Sequence, residues 1–447
     1  MNSVDRVHSS LLQQIETRAA RVAVIGLGYV GLPLAVTTAE RGFAVVGFDV
    51  DPGKMDFLDR GESYIGAVLP ETLQRVTQAG KFAWTTDFTR LAGCDVIVIC
   101  VPTPLTRHRE PDLSFIENTA EVIARNLKPG TLVVLESTSF PGTTEEVLTP
   151  ILCKSGLAAG VEFFVGFSPE REDPGNAHFR TATIPKVVAG DGEASGQLVA
   201  AFYGAVVDRI VPVSSARTAE AVKITENIFR AVNIALVNEL KVIYDAMGID
   251  VWEVIDAAAP KPFGFMPCYP GPGLGGHCIP IDPFYLTWKA REYGVATRFI
   301  ELAGEINTEM PRYVVAKLRK LLDQRLKRGL NGTRILLVGV SYKKNIADMR
   351  ESPSMRLMEM LIAEGSLVEY LDPHVPVIPP TRDYPGLTGR TAVAAGDLAG
   401  QGFDAVLIAT DHDAIDYAAL IGLGIPILDT RNAIARRGLP MDRVEKA

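Results

Sequence analysis

The stretch RVAVIGLGYVGLPLAVTTAERGFAVVGFDVD, residues 21–51, leaves a chain few ways to fold. Val22–Ile25 is a short apolar, β-branched run that reads as a buried strand. Gly26, Gly28 and Gly31 follow in a GxGxxG spacing. Leu32–Glu40 reads as a helix, Gly42 stops it, and Phe43–Phe48 is a second strand that ends at Asp49. The glycines answer three needs: a tight turn, close approach to a pyrophosphate, and tight packing of helix on strand. The helix start offers N–H donors and a positive dipole end to phosphate. Asp49 stands 23 positions after Gly26, about where an acid meets the ribose hydroxyls of adenosine. Such an acid favours NAD over NADP, whose 2′-phosphate it would repel. Tyr29 and Val30 in the turn and Lys54 past the acid complete this part of the cofactor set. A methyltransferase would accept this stretch alone, but nothing later supports one.

The pattern continues. DVIVICVPTP (95–104) and TLVVLESTSFPGT (131–143) are β-branched runs that end in turn residues. Ligands of open α/β sheets sit at the carboxyl ends of strands. Thr103 and Thr138 are therefore candidates for cofactor contact, and equally for simple turn and cap chemistry. VEFFVGFSPEREDPGNA (161–177) is a further strand and polar loop, with Glu170 at the strand end; a solvated loop carboxylate is the bland reading.

Residues 218–250 carry apolar side chains at helical spacing over roughly eight turns, and Gly248 fits a C-terminal stop. So long a helix suits a domain junction or a dimer interface. Lys223 and Asn227, one turn apart, lie on its polar face. They are either a solvated face or a clamp for a developing oxyanion. Then comes PGPGLGGHCIPIDPF (270–284), whose glycines suggest a backbone shaped to let something approach. Cys278 lies between this loop and a helix expected to start at Asp282-Pro283, a setting in which a thiolate is stabilised. Cys94, Cys100 and Cys153 read as inert core thiols, and Cys268 is ambiguous. With five cysteines, no CxxC and scattered histidines, neither a disulfide framework nor a metal site is expected.

Residues 333–373 repeat strand, loop, helix, strand and acid, but with Gly339 alone in the turn and Lys343, Lys344 and Arg350 in the loop. This predicts a second open α/β domain that takes a phosphate ligand through cations, or carries only a charged surface loop. The expected fold class is α/β, with two Rossmann-like doubly wound domains joined by a long central helix. Expected boundaries are 1–212 for NAD binding, 213–325 for a central helical dimerisation domain with the Cys loop, and 326–447 for this second Rossmann-like domain. At 447 residues the length suits about three domains. A net charge of -8 without blocks argues against nucleic acid. No window is apolar enough for a membrane span and the start lacks a signal-peptide core, so the cytoplasm is the expected location.

A nicotinamide cofactor together with an activated Cys suggests oxidation of an alcohol to an acid, four electrons in two NAD-dependent steps, with the Cys holding the intermediate. The motifs VIGLGYVGLPLA, STSFPGT, SPER, KITEN, GPGLGGHCIPIDPFYL, SYKKNIADMRESP and LDTRN, in that order, resemble the UDP-glucose/GDP-mannose dehydrogenase family over essentially the whole length. The resemblance implies a UDP-sugar substrate and a dimer, or higher homo-oligomer, through the central helix. It implies that Cys278 is the nucleophile, that Lys223 and Asn227 stabilise oxyanions and that Asp282 assists the water or general-base step. Glu170 would serve thioester hydrolysis and Thr138 would order a water. Lys343 would reach the nucleotide sugar, and Arg350 would lie near the cofactor and subunit junction. Arg171, Lys261, Gly275 and Gly276 complete the expected substrate set. SPERED replaces the NPEFL of the UDP-glucose branch, and Ile281 replaces a Lys. Both departures look like the N-acetylated branch, UDP-N-acetylglucosamine first. UDP-N-acetylmannosamine, UDP-N-acetylgalactosamine, UDP-glucose and a non-catalytic nucleotide-sugar-binding regulator are the alternatives. The implied product is a precursor of surface polysaccharide or O-antigen.

Overall fold

The computed structural model describes residues 3–106, 110–171, 181–276, 279–381 and 383–447. They form two compact units, the first of residues up to 226 with 284–295, the second of 227–283 with 296–447.

The first unit is built on eight strands: β1 (Arg21–Ile25), β2 (Ala44–Phe48), β3 (Phe82–Thr85), β4 (Val96–Ile99), β5 (Thr131–Leu135), β6 (Phe163–Phe167), β7 (Lys186–Gly190) and β8 (Ile210–Pro212). Their order is β3-β2-β1-β4-β5-β6-β7-β8. Neighbours are parallel except β6 and β7, which run antiparallel. Val22 stands beside Val45 on one side and Val96 on the other. Uninterrupted apolar strands such as VIVI and TLVVL are what a sheet covered on both faces requires. One core layer joins Val24, Leu32, Val45 and Phe202; the other joins Ile25, Ile97, Val133 and Phe167. The order reverses between β1 and β4, which places the ligand crevice of an open α/β sheet there.

The second unit carries a parallel five-stranded sheet of β9 (Arg334–Val338), β10 (Leu367–Leu371), β11 (Ala405–Ile408), β12 (Ile427–Asp429) and β13 (Val444–Lys446), in the order β10-β9-β11-β12-β13. The chain is thus α/β with two Rossmann-like sheets, as expected. The segment 227–283 belongs to the same compact unit as the C-terminal sheet.

The long helix runs from Ala216 to Met247 and is continuous from the first unit into the second. Gly248 ends it with φ +71°, a conformation that favours glycine. Its surface differs from the expected amphipathic pattern. Lys223 and Asn227 are buried, at 9% and 5% exposure, which removes the solvated-face reading. Among the exposed positions are Phe229, Leu236, Ile243 and Met247 instead. The second helix expected, from Asp282, spans Asp282–Glu292.

One cysteine departs from expectation. Cys94 and Cys100 are buried, but Cys153 is exposed. The apolar run around it buries Leu148 and Leu152, and Cys153 falls next, in the turn that leaves the helix for solvent. Among the described residues no helix is long and apolar enough to cross a membrane.

Candidate active site

In the first unit the three glycines have three distinct surroundings. A Cβ on Gly26 would lie 2.5 Å from the Cys100 carbonyl oxygen, and φ there is +91°. A Cβ on Gly31 would lie 1.8 Å from the Gly26 carbonyl oxygen. These two are required by the protein's own packing. Gly28 faces open space, with no atom within 4 Å of its Cβ position. That is the place a pyrophosphate would approach, beside the start of helix Gly31–Glu40, where Val30 gives no side-chain cap. Asp49 closes the turn: its Oδ2 accepts from the Leu27 N–H at 2.8 Å and from Lys54 Nζ at 2.6 Å, and Oδ1 accepts from the Asp51 N–H. Tyr29 is exposed and Val30 half-buried. The residues present fit NAD, with an acid at the ribose position and a glycine cradle left open.

Thr103 follows β4 and Thr138 follows β5, next to the turn after β1 in sheet order. Both are half-buried. The Tyr285 hydroxyl donates to the Thr103 carbonyl at 2.8 Å and so fixes that loop. Sequence reasoning missed Glu220, three residues before Lys223 on the long helix. Its carboxylate accepts from the N–H groups of Gly142 and Thr144 and from the Thr144 hydroxyl, which clamps the SFPGT loop. Burial outweighs these donors and pushes its pKa up to about 7.

Glu170 lies beyond β6 and is held on both carboxylate oxygens. Oε1 accepts from the Arg171 N–H at 2.6 Å, and Oε2 from Lys186 Nζ at 3.1 Å. Arg171 donates to Glu226 through Nε and Nη2 and to the Pro185 carbonyl at 2.7 Å. The side chain expected to meet substrate therefore ties the SPER segment to the KITEN helix. Glu172 and Asp173 of the same motif lie outside the described residues, as do His277 and Cys278.

In the second unit Asn227 Nδ2 donates to Asp282 Oδ2 at 2.5 Å, and both side chains are buried. This joins two of the expected residues at the head of the helix that follows Cys278. Lys223 stands one turn earlier on the long helix, within the first unit. The glycine loop has a reason the sequence reading did not give. A Cβ on Gly271 would lie 2.5 Å from Arg431 Nη1, and one on Gly275 would lie 2.6 Å from Tyr342 Cβ. Gly276 has φ +90°, and its N–H donates to the Arg350 carbonyl at 3.1 Å. The close approach these glycines allow is to the chain's own LDTRN, SYKK and RESP segments. Lys343 is half-buried in that loop, the Arg350 guanidinium is paired with Asp348, and Lys344 is exposed beside Asp413. Lys261 is exposed, with its Nζ 5.1 Å from the Phe263 ring centre.

An acid at the ribose position behind an open glycine cradle puts this chain among the NAD-dependent oxidoreductases. Comparison with known proteins makes the placement specific. The chain belongs to the UDP-glucose/GDP-mannose dehydrogenase family, whose NAD binding domain matches residues 20–207, central domain 217–309 and UDP binding domain 336–436. It is 37% identical over 394 residues to a UDP-N-acetyl-D-glucosamine 6-dehydrogenase of Pseudomonas aeruginosa, covering 88% of this chain and 90% of that one. Its fold matches the UDP-D-ManNAc dehydrogenase of Pyrococcus horikoshii with a TM-score of 0.85 at 32% identity, over 95% of this chain and 98% of that one. A UDP-glucose dehydrogenase of Pyrobaculum islandicum matches with a TM-score of 0.83 at 29% identity, over 95% and 97%.

Proposed function

We propose that the protein oxidises the C6 hydroxyl of a UDP-N-acetylhexosamine, UDP-N-acetylglucosamine first, to the uronic acid. The balance is RCH2OH + 2 NAD⁺ + H2O → RCOO⁻ + 2 NADH + 3 H⁺. NAD held at the Gly26–Gly31 turn and Asp49 would supply the hydride acceptor for both oxidations. The Cys278 thiolate adds to the C6 aldehyde, the resulting thiohemiacetal is oxidised to a thioester, and water releases the acid. Lys223 and Asn227 are assigned to stabilising the developing oxyanion, Asp282 to taking the thiol proton or ordering water, and Glu170 with Thr138 to hydrolysis. Lys343 holds the nucleotide sugar, with Arg171, Lys261, Gly275 and Gly276 shaping its site, and Arg350 stands by the cofactor.

The observation that carries this reading is the buried Asn227–Asp282 pair, a carboxylate fixed four residues after Cys278. The N-acetylglucosamine preference is supported by SPER and by the Pseudomonas aeruginosa relative. The second reading, UDP-N-acetylmannosamine, is supported by the Pyrococcus horikoshii fold match. NADH formation with the four UDP-sugars in parallel decides: two NADH per UDP-N-acetylglucosamine is the expected result, and turnover on another sugar alone moves the assignment to it. Cys278→Ser should abolish acid formation and keep NAD binding; full activity would remove the covalent route.

The same reading has the protein act as a dimer. Exposed Phe229, Leu236 and Ile243 recur every seven residues on the long helix, with Met247 beyond them, a stripe suited to a second copy. Leu236→Glu should convert a dimer to monomer in sedimentation; an unchanged dimer would place the interface elsewhere. A uronic acid of this type suits a surface-polysaccharide or O-antigen precursor.

A further inference from the structure

The reversed strand β7 brings a lysine to an unusual place. In a parallel sheet the carboxyl ends of the strands form the ligand edge, and strand starts lie opposite. Because β7 runs antiparallel to β6, with Phe167 beside Ala189, its first residue, Lys186, comes to the carboxyl end of β6. Lys186 is buried, with Nζ 3.0 Å from Glu136 Oε1 and 3.1 Å from Glu170 Oε2. Glu136 follows β5 and is buried; the Tyr203 hydroxyl, from helix Glu193–Val206, donates to the same Oε1, and Oε2 has no hydrogen-bond partner among the described residues. Two carboxylates thus share one ammonium inside the protein, and one of the two is Glu170.

We propose that Lys186, anchored by Glu136 and Tyr203, is a positioning residue that fixes the Glu170 carboxylate for its work in the reaction. The assignment rests on the proposed role of Glu170 in hydrolysis. Lys186 takes Oε2 and the Arg171 N–H takes Oε1, which leaves the carboxyl group one orientation. Burial opposes the Lys186 ammonium, but Glu136 and Glu170 together outweigh it and hold its pKa above the ordinary lysine value. Burial also raises Glu136, against the pull of Lys186. Among the described residues, the groups near Glu170 include Lys186 from β7, Glu136 after β5, Tyr203 from the flanking helix, buried Cys100 after β4, and Arg171 with its partner Glu226 on the long helix.

The two neighbours of Glu170 act with opposite sign, and that gives the test. A base must be ionised, so the acid limb of the pH–rate profile tracks its carboxylate. Glu136→Gln keeps the shape and removes a like charge, so the limb should move down by about 1 pH unit. Lys186→Met removes the counter-charge, so the limb should move up by a similar amount, with a loss of about 10-fold or more in kcat. Lys186→Arg should restore most of the rate. The carboxyl resonance of Glu170, assigned by its loss in Glu170→Gln of 13C-glutamate-labelled protein, should shift in the same opposite senses. Limbs that stay fixed, or move together, overturn the assignment. If Lys186→Met does not fold, Glu136→Gln alone must still move the limb down. Absence of NADH with every UDP-sugar would sink the dehydrogenase reading, and the carboxyl titration would then decide whether Lys186 controls Glu170.

Discussion

In the first sheet the Gly26 N–H donates to the Phe48 carbonyl at 2.8 Å, and the Leu27 N–H to Asp49 Oδ2 at 2.8 Å. In the second, Gly339 donates to the Leu371 carbonyl at 2.8 Å, and Val340 to Asp372 Oδ2 at 2.8 Å. A Cβ on Gly26 would meet the Cys100 carbonyl oxygen at 2.5 Å, and one on Gly339 the Thr410 carbonyl oxygen at 2.5 Å. The turn is repeated, but what faces its acid is not. Asp49 has Lys54, which is partly exposed. Asp372 has His412 Nε2 at 3.0 Å, with both side chains fully buried. The Asn345 N–H donates to His412 Nδ1, which leaves the proton on Nε2, facing Asp372. The glycine and the acid therefore belong to the architecture of a strand–turn unit. The ligand is decided by what is left open around them, and in the second half the acid's position is filled from within.

The comparison can be broken most severely at Gly31. A Cβ there cannot be accommodated without moving the turn, so Gly31→Ala should weaken NAD binding by at least about 10³-fold, roughly 4 kcal/mol, in a fluorescence titration. In the second half, His412→Ala strips a buried carboxylate of its donor and should cost about 3 kcal/mol, read as faster hydrogen exchange in β9–β13 with NAD affinity unchanged. Two buried acids give the halves opposite pH responses. Burial raises Glu220 to about 7, so its contribution is complete below about pH 4.5 and is lost as pH rises through 7, a change of about 3 kcal/mol that Glu220→Gln should flatten. Burial works against ionised Asp372, but His412 and backbone N–H groups outweigh it and lower its pKa. Its contribution is therefore present above about pH 4 and lost as pH falls below that. Melting of the two sheets followed separately across pH checks both signs. Asp49→Asn should weaken NAD about 30-fold, about 2 kcal/mol, and narrow the preference over NADP, whereas Asp372→Asn should leave NAD affinity alone. The smallest effect is expected at Gly28, where alanine meets no atom and stability should stay within about 0.5 kcal/mol.

The legible parts of the sequence were those written in local spacing. GxGxxG announced the first sheet, and the acids and β-branched runs announced both, because a parallel strand buried on two faces can be made of little else. The Lys186–Glu136–Glu170 group was not legible. It joins residues up to 50 positions apart through one reversed strand, and each looks like an ordinary strand-end charge. Glu220 was hidden in the same way, since its partners are backbone N–H groups of a distant loop. The glycine loop was legible only in part, for a related reason. Glycine density signals close approach, but not whether the approaching atoms are a ligand's or the protein's own Tyr342 and Pro353.

The exposed position of Cys153 has a practical consequence for chemistry aimed at the proposed nucleophile. An alkylating reagent added to this protein meets a surface thiol that has no part in the reaction, while Cys94 and Cys100 stay shielded. Label incorporation would then count a decoy, and the timing of inactivation would not match the stoichiometry of modification. A background with Cys153→Ser together with Cys268→Ser, whose thiol is only half-buried, turns the same reagent into a reporter of the glycine-loop thiol.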